Sequence, residues 1–253
     1  MEKRSGHARE MLPVRDEMVQ VPGGEFRYHA SHRFREGGFI LYDEGPRMVT
    51  MRAFWMDRYE VTNRQYQRFL HAVDYRPADK HNFLRHWKDG FPEALADHPV
   101  IWVSLDDARA YAQWAGKRLP TDIEWQWAAQ GPTAQDWPWG ERFEPAYCNG
   151  NDAGTTPVTA FPQNVSPFGV CDLVGNVWEW IDVVCSDGWH VWCFLRGGGY
   201  YTARGSHWYP EGGPQPVYHH HKFLLMAPSL DRSATIGFRC VAADGPTIGQ
   251  TAS

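Results

Sequence analysis

Long apolar runs, basic clusters and regularly spaced cysteines are what this 253-residue sequence lacks. Its apolar runs fall far short of the about 20 residues that a membrane-spanning helix needs, so we expect no membrane insertion. The formal net charge is -5 at pH 7, and no group of Lys and Arg stands out. An extended phosphate-binding surface is therefore not expected, which argues against a nucleic-acid partner.

Cysteine is scarce, and its count is odd. The five cysteines are irregularly spaced, at Cys148, Cys171, Cys185, Cys193 and Cys240. This pattern argues against a disulfide framework and favours a reducing compartment. The sequence begins with charged residues and no apolar stretch follows them, so no signal peptide is predicted. We expect a cytoplasmic protein.

Glycine, proline and tryptophan are abundant instead, with 24, 18 and 13 residues. Such a composition predicts many turns and large rings packed between irregular segments. The chain is long enough to bury one sizeable core. It shows neither a composition break nor an internal repeat. We predict one domain over residues 18–244, with a flexible segment at 1–17 and a tail at 245–253.

The first half contains patterns of both strands and helices. Residues 18–26 predict a strand, a turn and a second strand, and residues 47–56 predict one further strand. The polar stretch 27–43 between them is interpreted as a long excursion.

Three helices are predicted from their capping residues. They begin after Thr62, Ser104 and Thr121, and an acidic residue completes the capping-box spacing of the second and third. Beyond Gly131, apolar runs shorten and turn residues recur every few positions, which predicts short strands and long loops. The fold class is therefore α+β.

Six ordered motifs carry the most specific signal. They occupy residues 54–63, 98–104, 115–121 with Glu124-Trp125, 175–180 (Gly-Asn-Val-Trp-Glu-Trp), 196–198 (Arg-Gly-Gly) and 237–239 (Gly-Phe-Arg). This series resembles formylglycine-generating enzymes, also called sulfatase-modifying factors, over roughly residues 18–244. The resemblance implies a modified C-type-lectin-like fold with little regular secondary structure. It also implies activities that range from copper-dependent oxidases to non-catalytic proteins.

The resemblance places the copper-binding cysteines of those oxidases at Thr202 and His207. Copper(I) prefers soft thiolates, so a hydroxyl and one imidazole would hold it poorly, and formylglycine-generating activity is not expected. Cys185 and Cys193 could meet across a hairpin to bind a metal or form a disulfide, although two separate thiols are favoured. The family's structural disulfide is also missing, because the partner position of Cys240 is Ala112.

Histidine offers a different metal site. The related sulfoxide synthases bind iron through three histidines supplied largely by a preceding helical bundle, for which the segment ahead of Tyr59 is too short. A partner chain could supply one. Residues 219–221 are three histidines, and neighbours on a strand face opposite sides, so at most two of them can join His207. The candidate ligands for an iron or zinc site are therefore His207, His219, His220 and His221. The favoured alternative is a polar loop whose histidines are solvated or bonded to the backbone.

Calcium is the cofactor that the resemblance favours. In the family one ion is held at the Gly-Asn-x-Trp-Glu turn. The corresponding ligands are the side chains of Asn176 and Glu179 and the carbonyls of Gly175 and Val177. The alternative is that Glu179 makes hydrogen bonds to loop amides without a metal. A second calcium site is predicted at Asn149 and Asp152.

An aromatic groove is predicted where the family binds its substrate. Its candidate residues are Trp189, Tyr200, Tyr201, Arg204, His207 and Trp208. Rings of this kind bind a small molecule, a glycan or a protein partner. Other rings fill the core, among them Trp125, Trp127, Trp178 and Trp180. Arg196 and Arg239 are expected to donate hydrogen bonds to loop carbonyls.

Three functions remain open. A binding module without formylglycine-generating activity is placed first. A metal-dependent oxidoreductase of the non-heme iron type is the alternative, and a subunit that uses the groove as an interface is the third. The sequence leaves the ligand and the oligomeric state undecided.

Overall fold

The protein is described by a computed structural model over residues 17–33, 41–203 and 212–243. Its strands are β1 (Met18–Val21), β2 (Gly24–Arg33), β3 (Leu41–Met51), β4 (Phe54–Asp57), β5 (Trp178–Ser186), β6 (Val191–Arg196), β7 (Gly198–Gly199), β8 (Gly213–Pro214), β9 (His220–Leu225), β10 (Ile236–Gly237) and β11 (Val241–Ala242). Its α-helices are α1 (Asn63–Val73), α2 (Leu105–Trp114), α3 (Asp122–Gln130) and α4 (Pro228–Asp231). Single 3-10 turns occur at Arg85–Trp87, Glu93–Leu95 and Pro145–Tyr147.

The strands form two small sheets and two strand pairs. The largest sheet has the order β10-β5-β6-β9, in which β10 runs parallel to β5 and the other pairs are antiparallel. A three-stranded sheet has the order β1-β4-β11, which brings both ends of the domain together on β4. The pairs are the β2–β3 hairpin and the two-residue ladder β7–β8. No helix among the described residues is long and apolar enough to cross a membrane.

The three predicted helices begin where their caps indicate. In each, the cap side chain accepts a hydrogen bond from the backbone three residues on, while that residue's side chain accepts one from the cap backbone. These capping boxes satisfy N–H groups that have no partner inside the helix. Tyr66 and Phe69 bury the inner face of α1, whereas Val73, at its last turn, is 48% exposed.

Two strand predictions were wrong. Residues 47–56 form the end of β3 and the first three residues of β4, because the ladder breaks between Met51 and Phe54. Most of the predicted excursion at 27–43 belongs to the β2–β3 ladder; residues 34–40 lie outside the described part of the chain. Phe26, Tyr28 and Ala30 are buried in alternation with more exposed neighbours, and charges on the outer face hid this period from the sequence reading.

Two apolar clusters form the core. One lies between α1, α2 and the four-stranded sheet, where the rings of Tyr66 and Tyr111 stack with centroids 5.7 Å apart. The other packs α3 against β2 and the three-stranded sheet, with the rings of Phe26 and Trp127 5.1 Å apart. The four tryptophans expected in the core, Trp125, Trp127, Trp178 and Trp180, are all buried.

Candidate functional site

The segment that follows Arg196 is held tightly by its neighbours. A Cβ on Gly198 would lie 2.1 Å from the Gly213 carbonyl oxygen, and the residue has φ +82°, so glycine is required there. Tyr200 donates its N–H to the Asn176 carbonyl at 2.9 Å. Thr202 donates its N–H to the Asp152 carboxylate at 2.7 Å. The position expected for the first copper thiolate is thus fixed against the loop predicted as the second calcium site.

None of the five thiols lies in residues 197–203, all of which the structure describes. Cys185 pairs across the sheet with Trp192, so Cys193, the residue after Trp192, points to the opposite face. Cys193 is buried in the core, and Cys185 lines a surface cavity. A shared metal or disulfide between them is therefore ruled out. Cys240 is buried in the same cluster as Ala112.

The turn predicted to bind calcium is a hydrogen-bonded crossing of loops. Asn176 is fully buried with φ +55°, and its side-chain oxygen accepts hydrogen bonds from Asn149 at 3.2 Å and from the Thr156 N–H at 3.0 Å. Its side-chain nitrogen donates to the Asp172 carboxylate at 2.8 Å. The two predicted calcium sites are therefore linked by a direct hydrogen bond between Asn149 and Asn176.

The hydrogen-bond partners of Glu179 differ from those of Asn176. Arg239 donates to both of its carboxylate oxygens at 2.8 Å, and the Trp125 indole donates to one of them at 3.0 Å. The hydrogen-bond donors to the Glu179 carboxylate are therefore side chains rather than loop amides. Calcium at this turn stays a prediction, and binding Glu179 would require it to give up part of the Arg239 ion pair.

Two further acids that the sequence analysis missed lie beside Arg239. The Glu60 carboxylate is 3.6 Å from the guanidinium, and both of its oxygens are buried without a hydrogen-bond partner among the described residues. Burial, followed by the charge of Asp172, raises the pKa of Glu60 well above its usual value. Burial also raises the pKa of Asp172 to about 7. One guanidinium cannot balance Glu60, Asp172 and Glu179, so this cluster favours a retained proton.

The histidine run divides between two faces of β9, as its spacing predicts. His219 and His221 face the Trp178 ring, with centroid distances of 6.3 and 5.7 Å, whereas His220 stacks on Phe194 at 4.1 Å. Burial, with a smaller contribution from His220, lowers the pKa of His221 to about 4. Its imidazole is therefore neutral at pH 7.

Within the described residues, no three His, Cys, Asp or Glu side chains gather as a metal site. His207 lies outside them, together with the groove candidates Arg204 and Trp208. The three-histidine site consequently stays a prediction.

Trp189 lies away from the other described residues of the predicted groove. Tyr200 is half-buried and Tyr201 is 42% exposed, directly after the glycines at 197–199, which we call the glycine segment. Trp189 is 91% exposed, but it lies in the turn between β5 and β6, at the far end of β5 from Trp178 and Gly199. Nine strand residues span about 26 Å, so Trp189 cannot join the tyrosines around one small ligand.

The sequence is similar to known proteins over most of its length. Residues 6–244 match the family described as "Sulfatase-modifying factor enzyme 1-like domain". The formylglycine-generating enzyme of Thermomonospora curvata is 36% identical over 227 residues, covering 68% of this chain and 71% of that protein. The mouse (Mus musculus) protein "Inactive C-alpha-formylglycine-generating enzyme 2" is 30% identical over 293 residues, covering 95% of this chain and 88% of that protein.

A solved structure confirms the expected fold. PvdO from Pseudomonas aeruginosa superposes with a TM-score of 0.64 at 24% identity, covering 89% of this chain and 94% of that one. The architecture is the loop-rich, α+β, C-type-lectin-like fold that the ordered motifs predicted.

Proposed function

Because the chain belongs to the sulfatase-modifying factor family, we propose that it is a binding member of that family without formylglycine-generating activity. The ligand, a small molecule, a glycan or a segment of a protein, would contact Tyr200 and Tyr201 beside the glycine segment. One observation carries the proposal. The family resemblance aligns Thr202 with a copper thiolate of the oxidases, and the sequence has no cysteine between Cys193 and Cys240.

A threonine is a poor replacement for a cysteine as a ligand of copper(I). Copper(I) is a soft ion that prefers thiolate ligands, and a threonine hydroxyl is a hard, neutral donor. Cys193 and Cys240 cannot substitute, because both are buried in the core. Burial raises the pKa of each of these two thiols, which keeps them protonated.

The exposed ring of Tyr201 supports a binding role. Tyrosine offers an apolar face and a polar tip, which suits sugar rings and peptide side chains. Its backbone oxygen accepts a hydrogen bond from Gly213, so the base of the side chain is held by the β7–β8 ladder. A backbone that is already held in place loses less conformational freedom when a ligand binds.

A metal-dependent oxidoreductase of the non-heme iron type is the second candidate. It is favoured by the placement of His219 and His221 on one face of β9 next to Trp178. A neutral imidazole such as that of His221 is the form that binds a metal. The third ligand would be His207 or a residue of another protein chain.

The first experiment tests for oxidase activity. The purified protein is incubated with copper(I), oxygen and a peptide that carries the target cysteine of a sulfatase, with the Thermomonospora curvata enzyme as the positive control. Mass spectrometry should detect no aldehyde product. The double variant Thr202→Cys/His207→Cys should bind copper(I) where the unaltered protein does not. Aldehyde formation by the unaltered protein would refute the proposal.

The second experiment tests binding on glycan and peptide arrays. We expect Tyr201→Ala to lose the retained probes. Phe143→Ala is the matched control, because Phe143 is also 42% exposed and outside the glycine segment. Equal retention by both variants would show that Tyr201 is not part of a binding surface.

A further inference from the structure

The side chain of His86 is bonded to the first turn of α1. Its Nε2 lies 2.7 Å from the Oδ1 oxygen of Asn63, the residue with which α1 begins. The Trp87 indole donates to the same oxygen at 3.0 Å. Two consecutive residues of the 3-10 turn Arg85–Trp87 therefore bind one atom of the helix, and we refer to this as the Asn63 contact.

The orientation of the Asn63 amide is fixed by the groups around it. Its Nδ2 nitrogen lies 2.8 Å from the Leu95 carbonyl oxygen, and 3.2 and 3.3 Å from those of His98 and Pro99. Carbonyl oxygens only accept hydrogen bonds, so a nitrogen must occupy that position. The other amide atom must be the oxygen, because the Trp87 indole can only donate. Asn63 therefore presents an acceptor to the 3-10 turn.

This acceptor determines which nitrogen of His86 carries the proton. Nε2 must carry a hydrogen to bond to Asn63 Oδ1, so Nδ1 of the neutral ring has none. Nδ1 is buried and has no hydrogen-bond partner among the described residues. A second proton could bind only to Nδ1, where its hydrogen would lack an acceptor and the positive charge would lack water. The Asn63 contact is therefore compatible only with a neutral His86.

The charged groups of the surrounding segments do not compensate for a charge on His86. Burial is the one cause that lowers its pKa, to about 4, and no acidic side chain of the described part of the chain raises it. The titratable residues of α1, of the 3-10 turn and of the segment 91–99 have other partners or are exposed: Arg64 pairs with Asp97, Lys88 pairs with Asp89, Arg85 lies over the Trp102 ring, His98 bonds to Thr155, and Arg68, His71 and Glu93 are exposed.

We propose that the Asn63 contact is an acid-sensitive switch, which holds the 3-10 turn against α1 at neutral pH and releases it when His86 gains a proton. In the released state both ring nitrogens can donate hydrogen bonds to water, so the protonated ring is stable there. Trp87 would leave Asn63 together with His86, because the two residues belong to the same turn.

The pH range of the switch follows from the two states of His86. In the Asn63 contact its pKa is about 4, and in the released state it has the ordinary value of 6.5. The released state binds the proton more tightly, so its population rises as the pH falls below 6.5 and levels off below pH 4. Between pH 8 and pH 5 the equilibrium constant for release should rise about 10- to 30-fold.

Nuclear magnetic resonance of the unaltered full chain tests the protonation state of His86. Long-range proton–nitrogen spectra at pH 7.5 should show a hydrogen on Nε2 and none on Nδ1. The signals of His86 are assigned by their absence from the His86→Gln variant. A hydrogen on Nδ1 at pH 7.5, or half-protonation of His86 at pH 6 or above, would overturn the proposal.

Hydrogen exchange followed by mass spectrometry measures the release of the turn. The Trp87 N–H donates to the Leu84 carbonyl at 2.7 Å, so peptides covering residues 84–90 report on it. After correction for the exchange rate of free amides, their protection should fall about 10- to 30-fold between pH 8 and pH 5.

Two glutamine variants show whether His86 causes this fall. His86→Gln keeps a side-chain N–H donor for Asn63 and cannot gain a proton, so its protection should stay constant over the same range. His71→Gln replaces an exposed histidine of α1 and should follow the unaltered protein. Protection that does not change with pH in the unaltered protein, or an equal fall in His86→Gln, would refute the switch.

Discussion

Two fully buried arginines, Arg196 and Arg239, each connect segments that are distant in sequence. Arg239 donates to the carbonyls of Arg58, Cys171 and Asp172 and also pairs with Glu179. Arg196 donates to the Val217 carbonyl and pairs with Asp122. The carbonyl contacts were expected, and the carboxylate partners were not. Removing one partner of such a buried pair typically costs about 3–5 kcal/mol, because a charge is left unbalanced.

The pH dependence of stability is predicted from Glu60. The folded state holds a proton on Glu60 that the unfolded chain releases near its ordinary pKa of 4.5. Folding therefore takes up a proton, and the free energy of unfolding falls as the pH rises through the raised pKa. Glu60→Gln carries no titrating proton, so between pH 5 and 8 the unaltered protein should lose stability relative to this variant. Each unit of raised pKa corresponds to about 1.4 kcal/mol.

Urea unfolding at several pH values, in calcium-free buffer, measures this difference. Glu93→Gln, which replaces an exposed glutamate, is the matched control and should follow the unaltered protein. Parallel pH profiles for Glu60→Gln and the unaltered protein would show that Glu60 is ionised in the folded state.

At the scale of elements, the N-terminus of α2 combines a local and a distant restraint. Ser104 accepts the Asp107 N–H, and the Asp107 carboxylate accepts the Ser104 N–H at 2.8 Å. The same carboxylate binds Arg232, which is fully buried and follows α4, and accepts the Tyr75 hydroxyl. One acidic residue thus begins a helix and ties it to the segment before β10.

Substitutions at this cap should separate the two restraints. Ser104→Ala removes a helix cap alone and should lower the free energy of unfolding by about 1 kcal/mol. Asp107→Ala also leaves Arg232 buried without its carboxylate and should cost about 3–5 kcal/mol. Chemical denaturation measures both, with Thr62→Ala, the cap of α1, as a second cap-only control. Equal costs for Ser104→Ala and Asp107→Ala would mean that the Arg232 pair adds no stability.

At the scale of the whole molecule, residues 131–177 are the least regular part. The structure describes all of them, and they contain one 3-10 turn and neither an α-helix nor a strand. Buried amides hold this region instead. Asn149 and Asn176 bond to each other, and Asn164 donates to the Val174 carbonyl at 2.7 Å. Loops held by side chains in this way are those that a bound ion would stabilise most.

Calcium binding is the prediction that belongs to this scale. Elemental analysis of the purified protein should find calcium, and chelation should lower the melting temperature because the ion binds only the folded state. Asp152→Asn, at the exposed second site, should lose one equivalent and keep the other. Absence of calcium, with a melting temperature unchanged by chelation, would show that the hydrogen-bonded amides suffice.

Local patterns accounted for the helices and the family, and they failed where contacts are distant. The caps at Thr62, Ser104 and Thr121 act within three residues, so the sequence displayed them directly. The Arg196–Asp122 and Arg239–Glu179 pairs join residues 74 and 60 positions apart, and no spacing rule identifies such partners. The distance between Trp189 and Tyr200 was hidden for the same reason.

The sequence alone determined the helix starts, the class of fold and the absence of cysteine at positions 202 and 207, because these depend on residue identity and local order. Only the tertiary structure decided which charges are paired and which ring each face of β9 meets. Packing brings Trp178 to His221 and Phe194 to His220, and those contacts depend on how the strands pair rather than on any one segment.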